Sequence, residues 1–245
     1  MKVITVSNIK GGSAKTTTSI FLTEALSRRG KTLVIDLDMQ ADLTDYYLPE
    51  STPESLDKGN IFRLLIGESD FASCVHKGKF ADVIPGTIDL ANLTSRVMQS
   101  FSILKRLNTI LKENPDYDYV VIDTPGSARS ELTVSLVACD MILIPVTPSK
   151  WAIRAVNILL DEISNAREIT NKEHKVCFAP SMFGTSQKHL DLLERIHSLE
   201  EFKTFSPIPK SEVIKTNSEK RKVLKAGSKG WEAYDRLAQE VIDYL

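Results

Sequence analysis

The sequence predicts an α/β fold in which one largely parallel, twisted sheet carries helices on both faces. Three observations lead there. The chain opens on a strand–helix–strand unit, short β-branched apolar runs recur downstream with helical stretches between them, and those runs are apolar throughout, as strands buried on both faces are.

In chain order, Lys2–Ser7 (KVITVS) reads as the first strand, Lys15–Arg29 as a helix, and Thr32–Asp36 (TLVID) as the second strand. Gly30 is placed at the helix C-cap, and a strand–helix–strand crossover of this kind is right-handed. Leu48–Gly59 (LPESTPESLDKG) is rich in turn formers and reads as a surface excursion. Phe62–Leu65 and Ser100–Leu111 carry helical apolar spacing. Tyr119–Ile122, Met141–Val146 and Val176–Phe178 read as buried strands, with helices at Trp151–Arg167 and Lys188–His197. The last stretch, Trp231–Leu245, places Trp231, Tyr234, Leu237, Ala238, Val241, Ile242 and Leu245 on one helical stripe, so it reads as a core-packing helix.

Composition bounds the function. Of 245 residues, 42% are hydrophobic and 26% charged, with 31 Lys+Arg against 32 Asp+Glu, an ordinary globular balance that fits a single domain over 1–245. A net charge of -1 excludes a globally basic nucleic-acid coat, yet residues 203–229 hold eight basic and two acidic residues. Cys74, Cys139 and Cys177 are widely spaced and show neither a zinc nor a disulfide pattern. The N-terminal run has no basic n-region, and no apolar stretch approaches the roughly 18 residues of a membrane span, so a cytoplasmic protein is expected. A first strand beginning at Lys2 leaves no room for an N-terminal helix-turn-helix domain.

The informative segment is Lys10-Gly11-Gly12-Ser13-Ala14-Lys15-Thr16-Thr17, between the first strand and the first helix. Glycines let backbone approach phosphate oxygens, a helix N-terminus offers free N–H groups, Lys15 supplies a point charge, and the Thr16 hydroxyl can ligate Mg²⁺. The strict G-x-x-x-x-G-K-[ST] pattern is not met, because Ile9 and Ala14 occupy its glycine positions. The bland alternative is a tight Gly-Gly connection with solvated Lys and Thr. Against it stand Lys10 and two acidic signals at strand ends, Asp36-Leu37-Asp38-Met39-Gln40 and Asp123-Thr124-Pro125-Gly126. In a parallel sheet all carboxyl ends share one edge, so Lys15, Asp38 and Asp123 would converge on one crevice.

The combination K-G-G-x-x-K-T-T, V-I-D-x-D-x-Q and V-V-I-D-T-P resembles the ParA/MinD family of deviant Walker-box ATPases, P-loop NTPases, and most of all its ParA partitioning branch. The resemblance extends to Phe205–Lys210 (FSPIPK) and the C-terminal region. It implies ATP and Mg²⁺ as ligands. It assigns Lys10 as the signature lysine that reaches a dimer partner's nucleotide, Lys15 to the β and γ phosphates, and Thr17 to the α-phosphate side. Thr16, Asp38 and Asp123 fall to the metal region, with Asp38 orienting the attacking water and Asp123 as the Walker B aspartate. Gly11, Gly12, Ser13 and Ala14 complete the cradle, and Pro207 and Pro209 fall at the base pocket. Phosphoryl transfer needs charge neutralisation and in-line positioning, which these residue types supply.

Three departures from the family pattern stand out: Ala14 for glycine, Met39 for the proline of D-x-D-P-Q, and no asparagine in Phe178-Ala179-Pro180-Ser181. The cysteines do not match the cluster-bridging positions of nitrogenase iron protein. The final helix carries Glu232, Asp235, Glu240 and Asp243 against Arg236, so anionic lipid would repel it, unlike the membrane helix of MinD-type proteins. Lys215, Lys220, Arg221, Lys222 and Lys225 are the candidate contacts to DNA phosphates, independent of base sequence. The resemblance therefore implies an ATP-dependent homodimer on nucleoid DNA, with hydrolysis stimulated by a ParB-like or cargo-adaptor partner, moving a plasmid, a chromosome or a protein cargo such as carboxysomes. The alternative is an ATP-switched, protein-recruiting member that does not bind DNA.

Overall fold

The computed structural model describes residues 1–149 and 152–245. Nine strands form the sheet: β1 (Lys2–Val6), β2 (Thr32–Asp36), β3 (His76–Lys77), β4 (Asp82–Ile84), β5 (Tyr119–Asp123), β6 (Met141–Val146), β7 (Lys175–Phe183), β8 (Lys203–Thr204) and β9 (Ile208–Pro209). Their spatial order is β3-β4-β2-β5-β1-β6-β7-β8, with β9 pairing the end of β7. Among the described residues every pairing is parallel except that of β3 with β4. The helices are α1 (Lys15–Ser27), α2 (Asp42–Tyr47), α3 (Pro53–Leu56), α4 (Ile61–Ile66), α5 (Phe71–Cys74), α6 (Leu93–Gln99), α7 (Ile103–Glu113), α8 (Ser130–Ala138), α9 (Ala152–Thr170), α10 (Gln187–His197), α11 (Glu212–Glu219) and α12 (Lys229–Tyr244).

Because side chains alternate along a strand, each apolar run feeds two cores. Val120 and Ile122 of β5 join one core, with Leu107, Leu132 and Leu159 of α7, α8 and α9. Val121 points into the other, with Phe21, Tyr46, Ile214 and Tyr234 of α1, α2, α11 and α12. The central strands β2 and β6 divide in the same way. The α/β architecture with helices on both faces is thus as the apolar runs require.

α12 begins at Ser228, whose hydroxyl caps the helix by accepting from Trp231 N at 3.3 Å. It packs on α1 through Phe21 and Tyr234, whose ring centroids lie 5.2 Å apart, while Asp235 pairs with Arg28 and Arg29. Its apolar stripe is therefore spent on the core. Among the described residues, no helix is long and apolar enough to cross a membrane.

Several local expectations are corrected. α1 ends at Ser27, and Gly30 does not adopt the left-handed conformation of a C-cap glycine. Gly30 is required for a different reason: a Cβ there would meet the Asp118 carboxylate at 2.6 Å, and that carboxylate accepts from Lys31 N. The polar excursion Leu48–Gly59 contains α3, a single turn held by a Thr52–Ser55 capping box. The strand around Val176–Phe178 is the middle of the longer β7. Trp151 lies outside the described residues. All three cysteines are buried and free, and burial pushes the Cys139 and Cys177 thiols up to about 12. Among the described residues, no His/Cys/Asp/Glu group of three or more is placed to hold a metal.

Candidate nucleotide site

Register places the first part of the site. β5 lies between β2 and β1, so Asp123 stands beside Asp36 on one side and Val6 on the other, all at the carboxyl edge. The chain leaving β1 must turn over this edge to enter α1, and that turn is the glycine loop.

The loop is shaped by two left-handed residues, Gly12 (φ 68) and Ala14 (φ 66). Glycine adopts that conformation freely, whereas an L-residue there costs roughly 1–2 kcal/mol, so the methyl group of Ala14 carries backbone strain at the entrance to α1. Within the loop, Ser13 Oγ donates to the Lys10 carbonyl at 2.9 Å and Lys15 Nζ donates to the same oxygen at 3.0 Å. Gly11 and Gly12 are exposed, with open space where a Cβ would stand. Gly126 lies close against the loop; a Cβ on it would sit 3.3 Å from both Gly11 N and Lys15 Nζ.

Lys15 is buried, and desolvation lowers its pKa while Asp123 and then Asp38 oppose that shift. Asp123 is also buried. Its Oδ2 accepts from Thr16 Oγ1 at 2.8 Å and its Oδ1 from Ser19 Oγ at 2.7 Å. Burial, followed by repulsion from Asp36, pushes the Asp123 carboxyl up to about 7, against the pull of these hydroxyls and of Lys15. Ser19 was not anticipated from sequence; it lies one turn beyond Thr16 on the same helix face, and that spacing was the available signal.

Asp38 is half-buried on the loop after β2. Its Oδ1 accepts from Gln40 N at 3.0 Å, closing an Asx turn, and its carbonyl accepts from Ala41 N at 3.0 Å. Met39, where the family pattern has proline, packs its partly buried side chain against the first core.

Beside the loop lies a pocket walled by Ala14, Thr17, Ser181, Met182, Pro209 and Tyr234. Met182 (φ 62) sits at a register shift between the Ser181–Ile208 and Phe183–Pro209 pairs of β7 and β9, which turns its side chain outward to the pocket. Pro209 is part of the pocket wall. Pro207 does not wall the pocket: the chain before it is drawn along α12 by Ser206, which makes two hydrogen bonds to Glu240.

The sequence-selected cations separate. The Lys10 side chain makes no ion pair among the described residues. Lys215 faces the pocket from α11 and approaches Glu219 at 3.9 Å. Arg221 pairs with Asp45 of α2 at 2.8 Å. Lys220, Lys222 and Lys225 are exposed and make no ion pair among the described residues.

The AAA domain family matches residues 1–176. An uncharacterized protein of Methanocaldococcus jannaschii is 30% identical over 99% of this chain and 99% of its own length. The sporulation initiation inhibitor protein Soj of Bacillus subtilis is 30% identical over 70% of this chain and 68% of its own. A plasmid partition protein of Borrelia burgdorferi, 25% identical, superposes with a TM-score of 0.82 over 100% of this chain and 99% of that one. The family match over residues 1–176 and the likeness to Soj, with the parallel sheet and its glycine loop, show that the chain belongs to the ParA/MinD-like family of P-loop ATPases.

Proposed function

We propose that the chain hydrolyses ATP as a switch: an ATP-bound homodimer coats nucleoid DNA without reading its sequence, and hydrolysis, stimulated by a ParB-like or cargo-adaptor protein in the cytoplasm, releases it. Cargo bound to that partner is thereby partitioned or positioned. The observation that carries this reading is the convergence of Lys15, Thr16, Asp38 and Asp123 on one edge of the sheet, beside the Pro209 pocket.

In this reading the backbone from Gly11 to Ala14 cradles the phosphates, and Thr17 lies between cradle and base pocket. Lys15 exchanges its bond to the Lys10 carbonyl for the β and γ phosphates. Lys10 reaches the partner subunit's nucleotide with its unpaired ammonium. The residues present fit Mg²⁺. The Thr16 hydroxyl gives its hydrogen to Asp123 and keeps its lone pairs, and Asp123 is a buried carboxylate short of positive charge. Such an ion, when bound, neutralises charge that develops on the phosphate oxygens. Asp38 orients the attacking water, and because its carboxylate is engaged by Gln40 N, turnover without a partner is slow. Lys220, Lys222 and Lys225 supply the phosphate contacts to DNA, with Lys215 and Arg221 contributing less because each already faces a carboxylate.

The test is binding to random-sequence duplex DNA with ATP, with ADP and without nucleotide, across a salt series. ATP-dependent binding with a steep salt slope is expected. Two internally engaged cations favour the second reading, an ATP-switched protein recruiter, and absence of binding in every state would select it.

A further inference from the structure

We propose that Thr44, acting with Asp36, is a positioning residue that sets the backbone of the Asp38 loop for hydrolysis. The inference rests on the ATPase reading and deepens it, since neither side chain lies among the phosphate or water contacts assigned above.

Asp36 is fully buried at the end of β2, and its carboxylate is shared between two segments. Oδ1 accepts from Asp38 N at 3.0 Å, while Oδ2 accepts from Thr44 N at 2.9 Å and from Thr44 Oγ1 at 2.7 Å. The Thr44 hydroxyl in turn accepts from Gly86 N at 2.9 Å, which brings in the loop after β4. One buried hydroxyl thus joins three separate segments with both its donor and an acceptor site used.

Two further observations make the arrangement specific. α2 begins at Asp42 with Ala41 as its N-cap, in the left-handed region (φ 57) and with no side chain to cap the helix, so Asp36 supplies the missing acceptor from outside it. Gly86 packs so closely that a Cβ there would lie 2.9 Å from the carbonyl oxygens of both Asp36 and Asp38. The Asp38 backbone is therefore clamped from its own strand, from α2 and from the β4 exit loop. An ordinary surface loop has no such clamp.

Thr44→Val keeps the shape but removes the hydroxyl, orphaning Gly86 N and one acceptor site of Asp36; Thr44→Ser restores both bonds. Thr44→Ala is made alongside so that the result does not depend on one variant folding. In steady-state ATP hydrolysis, kcat is expected to fall roughly tenfold to hundredfold in Thr44→Val. ATP affinity, measured by equilibrium titration, should stay within about twofold, and Thr44→Ser should recover most of the rate. Amide exchange by NMR on the nucleotide-free chain should accelerate at Gly86 and Asp38 in Thr44→Val and Thr44→Ala but not in Thr44→Ser. An unchanged kcat, a parallel loss of ATP affinity, or a Thr44→Ser variant as slow as Thr44→Val would overturn the proposal. If the wild-type chain turns over no ATP, the ATPase reading fails by itself. The clamp is then judged by exchange, and unchanged protection at Gly86 and Asp38 sinks it.

Discussion

Lys15 Nζ donates to the carbonyl oxygen of Lys10 at 3.0 Å, so the two lysines of the loop are joined through the backbone of one and the side chain of the other. The bond holds a buried ammonium over a buried carboxylate, Asp123, with the cradle backbone folded around it. Removing the ammonium takes away a positive charge that, with the Thr16 and Ser19 hydroxyls, opposes the upward push of burial on Asp123. Lys15→Ala removes the charge-assisted contact proposed for the β and γ phosphates, so nucleotide binding is expected to fall by roughly a hundredfold, the scale of losing one buried charged partner. Titration with a fluorescent ATP analogue checks this, and unchanged affinity would remove the phosphate-loop assignment.

Ala14 tests the shape of the cradle. Ala14→Gly relieves left-handed strain but loosens the unfolded chain, so its stability should change by less than about 1 kcal/mol and binding should survive. Ala14→Val places a β-branched residue at the same φ, and we expect a loss of at least about 1–2 kcal/mol in chemical denaturation together with weakened nucleotide binding. Equal behaviour of the two variants would refute the backbone argument.

Asp123 makes apo stability depend on pH. Burial pushes its carboxyl from the ordinary 3.8 up to about 7 in the folded chain, and likewise raises Asp36 to about 6. Between the ordinary carboxylate range and about pH 7, the folded chain keeps protons that the unfolded chain releases. Stability contributed by these groups is therefore present at low pH and declines as pH rises, by at most about 1.4 kcal/mol per pH unit for one proton. Urea midpoints from pH 5 to 7.5 should fall more steeply for the wild type than for Asp123→Asn. A common slope would count against the shift.

Asp38→Ala should leave ATP bound while slowing hydrolysis at least about a hundredfold, the scale of a general base or water-orienting group. In the proposed switch this traps the dimer, so size-exclusion with light scattering in ATP and Mg²⁺ should show twice the monomer mass. A monomer under those conditions would strip Asp38 of its role.

On the DNA side, replacing Lys220, Lys222 and Lys225 by alanine should lower the log–log salt slope by about 0.9 for each DNA phosphate that is no longer neutralised. Arg221→Ala should lower it less, because Arg221 already pairs with Asp45. Fluorescence anisotropy in the ATP state measures both. An equal or larger effect of Arg221 would show that the pair opens on DNA.

Long, chemically loud features were legible in the residues. The apolar runs of β1, β2, β5 and β6 announced a two-faced sheet, and the glycine loop with two strand-end aspartates announced the crevice. Short features were not. β3, β8 and β9 are two residues each, too brief for a period to show. α8 is buried on nearly all sides, so it has no polar face to betray a helical repeat. The part of Met182 in the pocket beside the loop escaped, because it reaches that pocket through a register shift that strand patterning cannot show.

What the sequence determined by itself was the fold class and the identity of the charged groups, since periodicity and residue chemistry are local properties of the chain. Only the tertiary structure decided which groups share an environment. Asp36 and Asp123 become neighbours through strand register, Arg221 is taken up by Asp45, Pro209 reaches the pocket where Pro207 does not, and Thr44 is bonded both to Asp36, eight residues upstream, and to Gly86. The physical reason is that burial and distance set the strength of charge and hydrogen-bond interactions, and both arise only when segments remote in sequence are packed together.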